Sequence, residues 1–336
     1  MASDPDRRAL QITRLLAALT LVIALLSLGL GQFTLSPARV LAVLGAPWRQ
    51  DSLEYRIIWL VRMPRVLTAC LAGGALALCG GALQGMFHNP LVDPHIIGVS
   101  AGAAFGGTLA ILLGLPTLAL MGSTFAFGLL ALALVYGIAA TLGRDNRLML
   151  ILAGIILSGF FSALVSLLQY LADTEEKLPS IVFWLLGSFA TANWHKFSML
   201  ALPLLAAGGV LYRLRWHINI LSLGDDDAAS LGITLVNVRR WVLVLCAVLV
   251  AAQVAVSGSI GWIGLVIPHL ARILVGADHR RLLPAAFWLG AGFMVLVDDL
   301  ARLLSQAEIP LGIITALLGA PLFAWLLFLD ARGKKS

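Results

Sequence analysis

Apolar residues run in long, nearly unbroken stretches along the chain. Ten stretches, roughly 13–33, 62–86, 95–114, 117–141, 147–171, 196–212, 236–256, 260–276, 283–304 and 311–329, predict helices that cross a membrane. Crossing the hydrocarbon takes about 20 apolar residues of helix. What is left is short connections and two tails, the longest connections being 34–61, 172–195 and 213–235. The pattern predicts an all-α membrane protein of about ten transmembrane helices per subunit, a single transmembrane domain over residues 1–336 with the lipid bilayer as its solvent.

Composition strengthens that reading. Charged residues are 12 % of the chain and hydrophobic ones 60 %, against about a quarter and about half in soluble domains. So few charges would leave a water-facing surface uncovered, and so much apolar character excludes disorder. The 33 glycines suit helices that approach closely in lipid. Cys70, Cys79 and Cys246 all lie in apolar runs, which predicts packing residues rather than disulfides or metal ligands. No cofactor, metal or nucleic-acid partner is expected.

Charge position gives orientation. With the amino terminus inside, fifteen of the 23 basic residues fall on the inner side, so the positive-inside rule places both termini in the cytoplasm. The outer side holds the exception, with Arg39, Arg49, Arg56, Arg62 and Arg65 crowded together. Arg7 and Arg8 precede an apolar run that is long and lacks a convincing cleavage site, so it reads as an uncleaved first span.

Several polar features interrupt the apolar background. Gly73, Ala77 and Gly81 share one helical face, as do Gly98, Gly102 and Gly106, a spacing that predicts tight helix packing. The stretch from His88 to His95 holds Pro90 and Pro94, which break any helix. A second break, Gly261 to His269, carries Pro268, and the pair hints at an internal repeat. Irregular backbone at membrane depth is tolerated only inside protein or beside an aqueous cavity. Asp298, Asp299 and Arg302 share a helical face in the ninth span, where they are expected to neutralise one another.

Between the sixth and seventh spans, residues 221–234 predict a short acidic helix. Ser222 or Gly224 begins it, Asp225, Asp226 and Asp227 favour its first turns, and Gly232 ends it. Such a delimited cytoplasmic helix suits docking of a soluble partner. No phosphate-cradling Gly-x-x-x-x-Gly-Lys-Ser/Thr appears, so ATP hydrolysis, if it drives the protein, belongs to a separate chain.

From about residue 30 to 330 the sequence resembles the iron-chelate, haem and vitamin B12 permeases, the membrane subunits of type II ATP-binding-cassette importers. The resemblance is carried by Arg62-Met63-Pro64-Arg65, Gln84 with Asn89-Pro90-Leu91, Ile97-Gly98 with Gly102-Ala103, and Leu223-Gly224-Asp225-Asp226 through Leu231-Gly232. It continues in Gly264 to His269, Gly312 to Thr315 and Gly319-Ala320-Pro321.

The resemblance implies a non-enzymatic transport subunit in the bacterial inner membrane. It implies a homodimer around a central pathway, with two cytoplasmic ATPase subunits below and one periplasmic binding protein above. Gly224, Asp225, Asp226, Ala228, Leu231 and Gly232 match the coupling element, although Asp227 stands where the family pattern has an Ala. Arg62, Arg65 and Arg302 match positions that meet acidic residues of the binding protein, and Asn89, Pro90 and Leu91 match the region of the cytoplasmic gate. The segment Leu178 to Trp184 looks more like that of the haem members, which favours haem as substrate over a ferric siderophore or cobalamin. A secondary transporter running on an ion gradient is the weaker alternative, because the only acids inside a span, Asp298 and Asp299, have Arg302 beside them.

Overall fold

The computed structural model describes residues 4–46, 52–142, 147–224, 235–305 and 307–333, which form helices and turns with no strand among the described residues. In chain order the first helices are α1 (Asp4–Ser27), α2 (Pro37–Leu44), α3 (Leu53–Phe87), α4 (Val99–Leu112), α5 (Thr117–Leu142), α6 (Arg147–Leu171) and α7 (Lys177–Leu185). The remainder are α8 (Trp194–Arg213), α9 (Arg215–Leu221), α10 (Leu235–Ser257), α11 (Ile263–Val275), α12 (His279–Leu303) and α13 (Leu311–Gly333). Among the described residues eight helices are long and apolar enough to cross a membrane, and α4 and α11 are shorter apolar helices. The ten predicted segments are therefore all helical, but two of them are not full spans.

Several boundaries differ from the sequence reading. Residues 34–61 were expected to be a connection, yet they supply α2 and the start of α3. The second span was expected to begin near residue 62, just before Pro64, a residue type that favours the first turn of a helix. The helix instead runs through it. A wide π-type turn at Arg56–Arg62 makes room for the ring and the missing N–H. Pro203 is likewise followed by a wide turn, Leu204–Gly208, inside α8. The first helix ends at Ser27, earlier than expected, because Gly29 and Gly31 turn the chain; Gly31 has φ 142°.

α3, α10 and α12 bury most of their surface and form the centre. α1 lies outside, presenting Leu15, Leu19, Leu21 and Val22 outward, as a lipid-facing helix must. Relative directions follow from paired residues. Asp6 meets Arg281 at 2.5 Å and Ser27 meets Asp299 at 2.6 Å, so α1 and α12 run parallel. Gly85 lies on His279 and Gly73 on Gly290, so α3 runs antiparallel to α12. One end of the bundle carries Arg65 and Asp298 and the other carries Arg281.

The small-residue faces do pack helices together. A Cβ on Gly290 would overlap the Gly73 carbonyl oxygen and Ala77, and one on Gly106 would overlap Ser123 O and Phe127 of α5. Cys79 and Cys246 sit at the α3–α10 crossing, each Sγ 3.9 Å from the other's carbonyl oxygen, as packing residues.

Candidate translocation site

The two broken segments meet each other. After α3 the chain turns at His88, whose φ is 52°, and re-enters through a single 3₁₀ turn, Pro94–Ile97, capped by Asp93 Oδ1 accepting from the His95 N–H at 2.7 Å. Pro94 packs on Gly264 at the start of α11, and His95 Nε2 lies 3.1 Å from the Ile260 carbonyl oxygen. Gln84 fastens the junction. Its amide lies 3.3–3.4 Å from the carbonyls of Val92, Gly264 and Leu265, and its oxygen accepts from Arg272 at 3.0 Å.

Depth can be read from the neighbours. Cys246 is midway along α10 and faces Cys79, while the next residue, Gly80, packs on Gly264. α11 therefore starts at mid-depth. Its 13 residues and the 14 of α4 rise about 20 Å each, short of the hydrocarbon thickness of about 30 Å. Each break uses up the residues that would have completed a span. Both half-length helices thus begin within the protein, α4 after Gly98 at φ 78° and α11 after Trp262 at φ 72°. A helix N-terminus presents backbone N–H groups and a positive partial charge. Trp262 packs on Gly319, where a Cβ would overlap its side chain; this explains the glycine of the Gly319-Ala320-Pro321 motif.

Beside this junction lies a cleft of about 440 Å³ lined by Ser100 of α4, Ser158, Ser162 and Ser166 of α6, Ser259 and His95. A second cleft, about 450 Å³, shares His95 and Ser158 and continues past Asp93 and Trp262. These serines were not singled out from the sequence. Their signal was there, since Ser158, Ser162 and Ser166 recur every four residues within one apolar span.

The predicted outer arginines come together, but they face inward. Arg65 holds Asp298 at 2.9 Å and Glu308 at 2.9 Å. Arg302 pairs with Asp299 and lies 3.3 Å from Asp298, and it donates to Ser27 Oγ at 2.9 Å. Arg62 donates to the carbonyls of Leu28 and Phe33 at 2.8 and 2.5 Å. Arg62 and Arg65 are buried, whereas Arg39 and Arg56 remain exposed at that end of the bundle. The expected neutralisation within α12 is present, and Arg65 extends it across to α3.

Asn89, Pro90 and Leu91 form a turn at the Arg281 end, with Asn89 Oδ1 accepting from the Leu91 N–H at 2.9 Å. Pro90 and Leu91 are exposed there, and neighbouring His88 reaches the Leu221 carbonyl oxygen of α9. The turn lies against the chain that leads to the expected coupling element and outside both clefts. Of that element Gly224 is described, with φ 131°; Asp225, Asp226, Ala228, Leu231 and Gly232 lie outside the described residues.

A helical bundle with two half-length helices starting at depth beside a polar cleft defines a membrane permease. The profile of the FecCD transport family matches residues 19–328, and the chain belongs to that family, the permeases of type II ABC importers. It is 52 % identical over 321 residues to the molybdate import system permease protein MolB of Haemophilus influenzae, covering 95 % of each chain. It is 41 % identical to the hemin transport system permease protein HmuU of Yersinia pestis, covering 80 % of this chain and 83 % of that one. It is 37 % identical to the vitamin B12 import system permease protein BtuC of Salmonella paratyphi A, covering 98 % and 99 %. A solved structure described as an inward-facing metal-chelate type ABC transporter superposes with a TM-score of 0.87 at 52 % identity, covering 95 % of this chain and 99 % of that one. The chain is thus a multi-pass membrane protein and the permease subunit of an importer.

Proposed function

We propose that this permease imports a small oxyanion of the molybdate type. The observation that carries the reading is the hydroxyl-lined cleft beside the N-terminus of α4, which offers neutral donors to an anion and, among the described residues, no carboxylate. The relative named for molybdate import, similar along 95 % of both chains, supports the same substrate. Haem is the second reading, supported by the hemin relative. The sequence signal for haem, Leu178 to Trp184, forms α7, where Trp184 packs on Gly107 and so serves the contact with α4.

In this reading two copies flank a central pathway in the bacterial inner membrane, with both termini cytoplasmic. Two ATPase subunits dock on the Arg281 end through the segment containing Asp226 and Gly232, and a periplasmic binding protein docks on the Arg65 end. Arg62, Arg65 and Arg302 then serve docking by holding the rim formed by residues 28–33 and Glu308.

Uptake into proteoliposomes carrying the ATPase and the cognate binding protein tests this. Molybdate should accumulate with ATP, and haem, a ferric siderophore and cobalamin should not; haem uptake without molybdate uptake would replace the oxyanion reading. Asp226→Lys or Gly232→Pro should abolish ATP-driven uptake, and survival of uptake in both would refute the coupling assignment.

A further inference from the structure

We propose that the hydroxyls of Ser100 and Ser158 form a transit station for a tetrahedral oxyanion at the mouth of α4, an inference that rests on the oxyanion reading above. Ser100 is the second residue of α4 and is 4 % exposed, yet its Oγ has no hydrogen-bond partner. Ser158, midway along α6, also has a buried Oγ without a partner. Both line the same cleft. Buried hydroxyls are almost always satisfied, and two left open on one cleft point to something that fills it.

The chemistry of the lining narrows what that is. A hydroxyl both donates and accepts, so water alone could satisfy it, but Ser100 stands in the first turn of a helix, where the N–H groups carry a positive partial charge that favours an anion. The cleft's volume of about 440 Å³ equals about fifteen waters at about 30 Å³ each, enough for a small anion that keeps part of its hydration. Asp93, which lines the adjoining cleft, commits Oδ1 to the His95 N–H. Among the described residues no Arg or Lys lines either cleft. Neutral donors hold an anion weakly enough to let it leave, which passage requires. Ser162 and Ser166 extend the same hydroxyl face toward the Arg65 end, although Ser166 Oγ also donates to the Ser162 carbonyl at 3.0 Å.

The test measures initial rates of radiolabelled molybdate uptake by the transporter assembled with its ATPase and binding protein. Ser100→Ala and Ser158→Ala should each slow uptake about tenfold, the equivalent of one hydrogen bond to a charged group. Ser158→Thr, which keeps a hydroxyl, should stay within about twofold of wild type. Ser123→Ala, whose Oγ donates to Gly106 O away from the cleft, should match wild type. If Ser100→Ala fails to assemble, Ser158→Ala at its less buried site decides alone. Wild-type rates in the alanine variants would overturn the station while leaving molybdate import intact. A wild-type transporter that moves neither molybdate nor tungstate would overturn the oxyanion reading and the station with it.

Discussion

Arg65 and Asp298 stand 233 residues apart in the chain and meet at 2.9 Å, with 8 % and 1 % of their side chains exposed. Removing one partner leaves the other charge buried, which costs about 3–5 kcal/mol. Arg65→Met should therefore lower the thermal stability of the detergent-purified protein strongly, because Glu308 loses its partner as well. Arg65→Met combined with Asp298→Leu should recover a large part of the loss. Thermal unfolding of the two variants checks this, and a neutral single variant would contradict it.

Gly80 lies against the Gly264 backbone so closely that a Cβ would overlap the carbonyl. Gly80→Ala must push α3 and α11 apart, and overpacking of this kind costs about 1–3 kcal/mol. Gly122, which has nothing within 4 Å of the equivalent position, is the control. Gly122→Ala should be neutral or stabilise by up to about 1 kcal/mol through helix propensity. Equal melting temperatures for the two variants would show that the close approach is not needed.

Gln84 fastens both broken segments to α3 and accepts from Arg272. Gln84→Leu keeps the volume but leaves the Arg272 guanidinium without that acceptor, a loss of about 1–3 kcal/mol. Faster proteolysis or hydrogen exchange confined to residues 88–98 and 258–265 is the expected readout. Protection unchanged in both segments would count against Gln84 as the fastener.

Asp278 caps α12, accepting from the Arg280 N–H at 2.9 Å. Burial pushes its carboxyl up, but hydrogen bonds from Arg280 and the charges of Arg280 and Arg281 outweigh that and hold it below the usual carboxylate value. Its contribution is therefore complete above the unfolded value of about 3.9 and fades as the pH falls through the lower folded value. Asp278→Ala should cost about 1 kcal/mol at neutral pH and weaken the acid-side decline in stability. A pH series of melting temperatures for both proteins measures this.

Much of this architecture was legible because the bilayer constrains it. Long apolar runs had to be helices, and the prolines at 90 and 94 had to mark a break. Pro268, expected in a second break, lies inside α11, and the irregular stretch is 258–262 before it. The glycines at spacings of four had to face neighbours, and Gly73 and Gly106 do. What stayed hidden was partnership over distance. Nothing local in Arg62-Met63-Pro64-Arg65 says that Arg65 turns inward to Asp298 and Glu308, so outward arginines were the natural expectation. Pro64 reads the same whether it starts a helix or sits in one widened by a π-type turn. That the breaks at 94 and 264 touch is a tertiary fact, and the serine face of α6 gains meaning only once Ser100 and Ser259 are seen opposite it.

The half-length α4 and α11 present main-chain amides inside the protein at their first turns. Polarity supplied by the main chain is indifferent to mutation and carries no net charge to obstruct a passing solute. A scaffold of this kind can change its cargo by exchanging a few short side chains along one cleft, leaving the electrostatic framework untouched. Relatives named for molybdate, hemin and vitamin B12 import are 37–52 % identical to this chain, as expected if evolution edits the lining and keeps the frame.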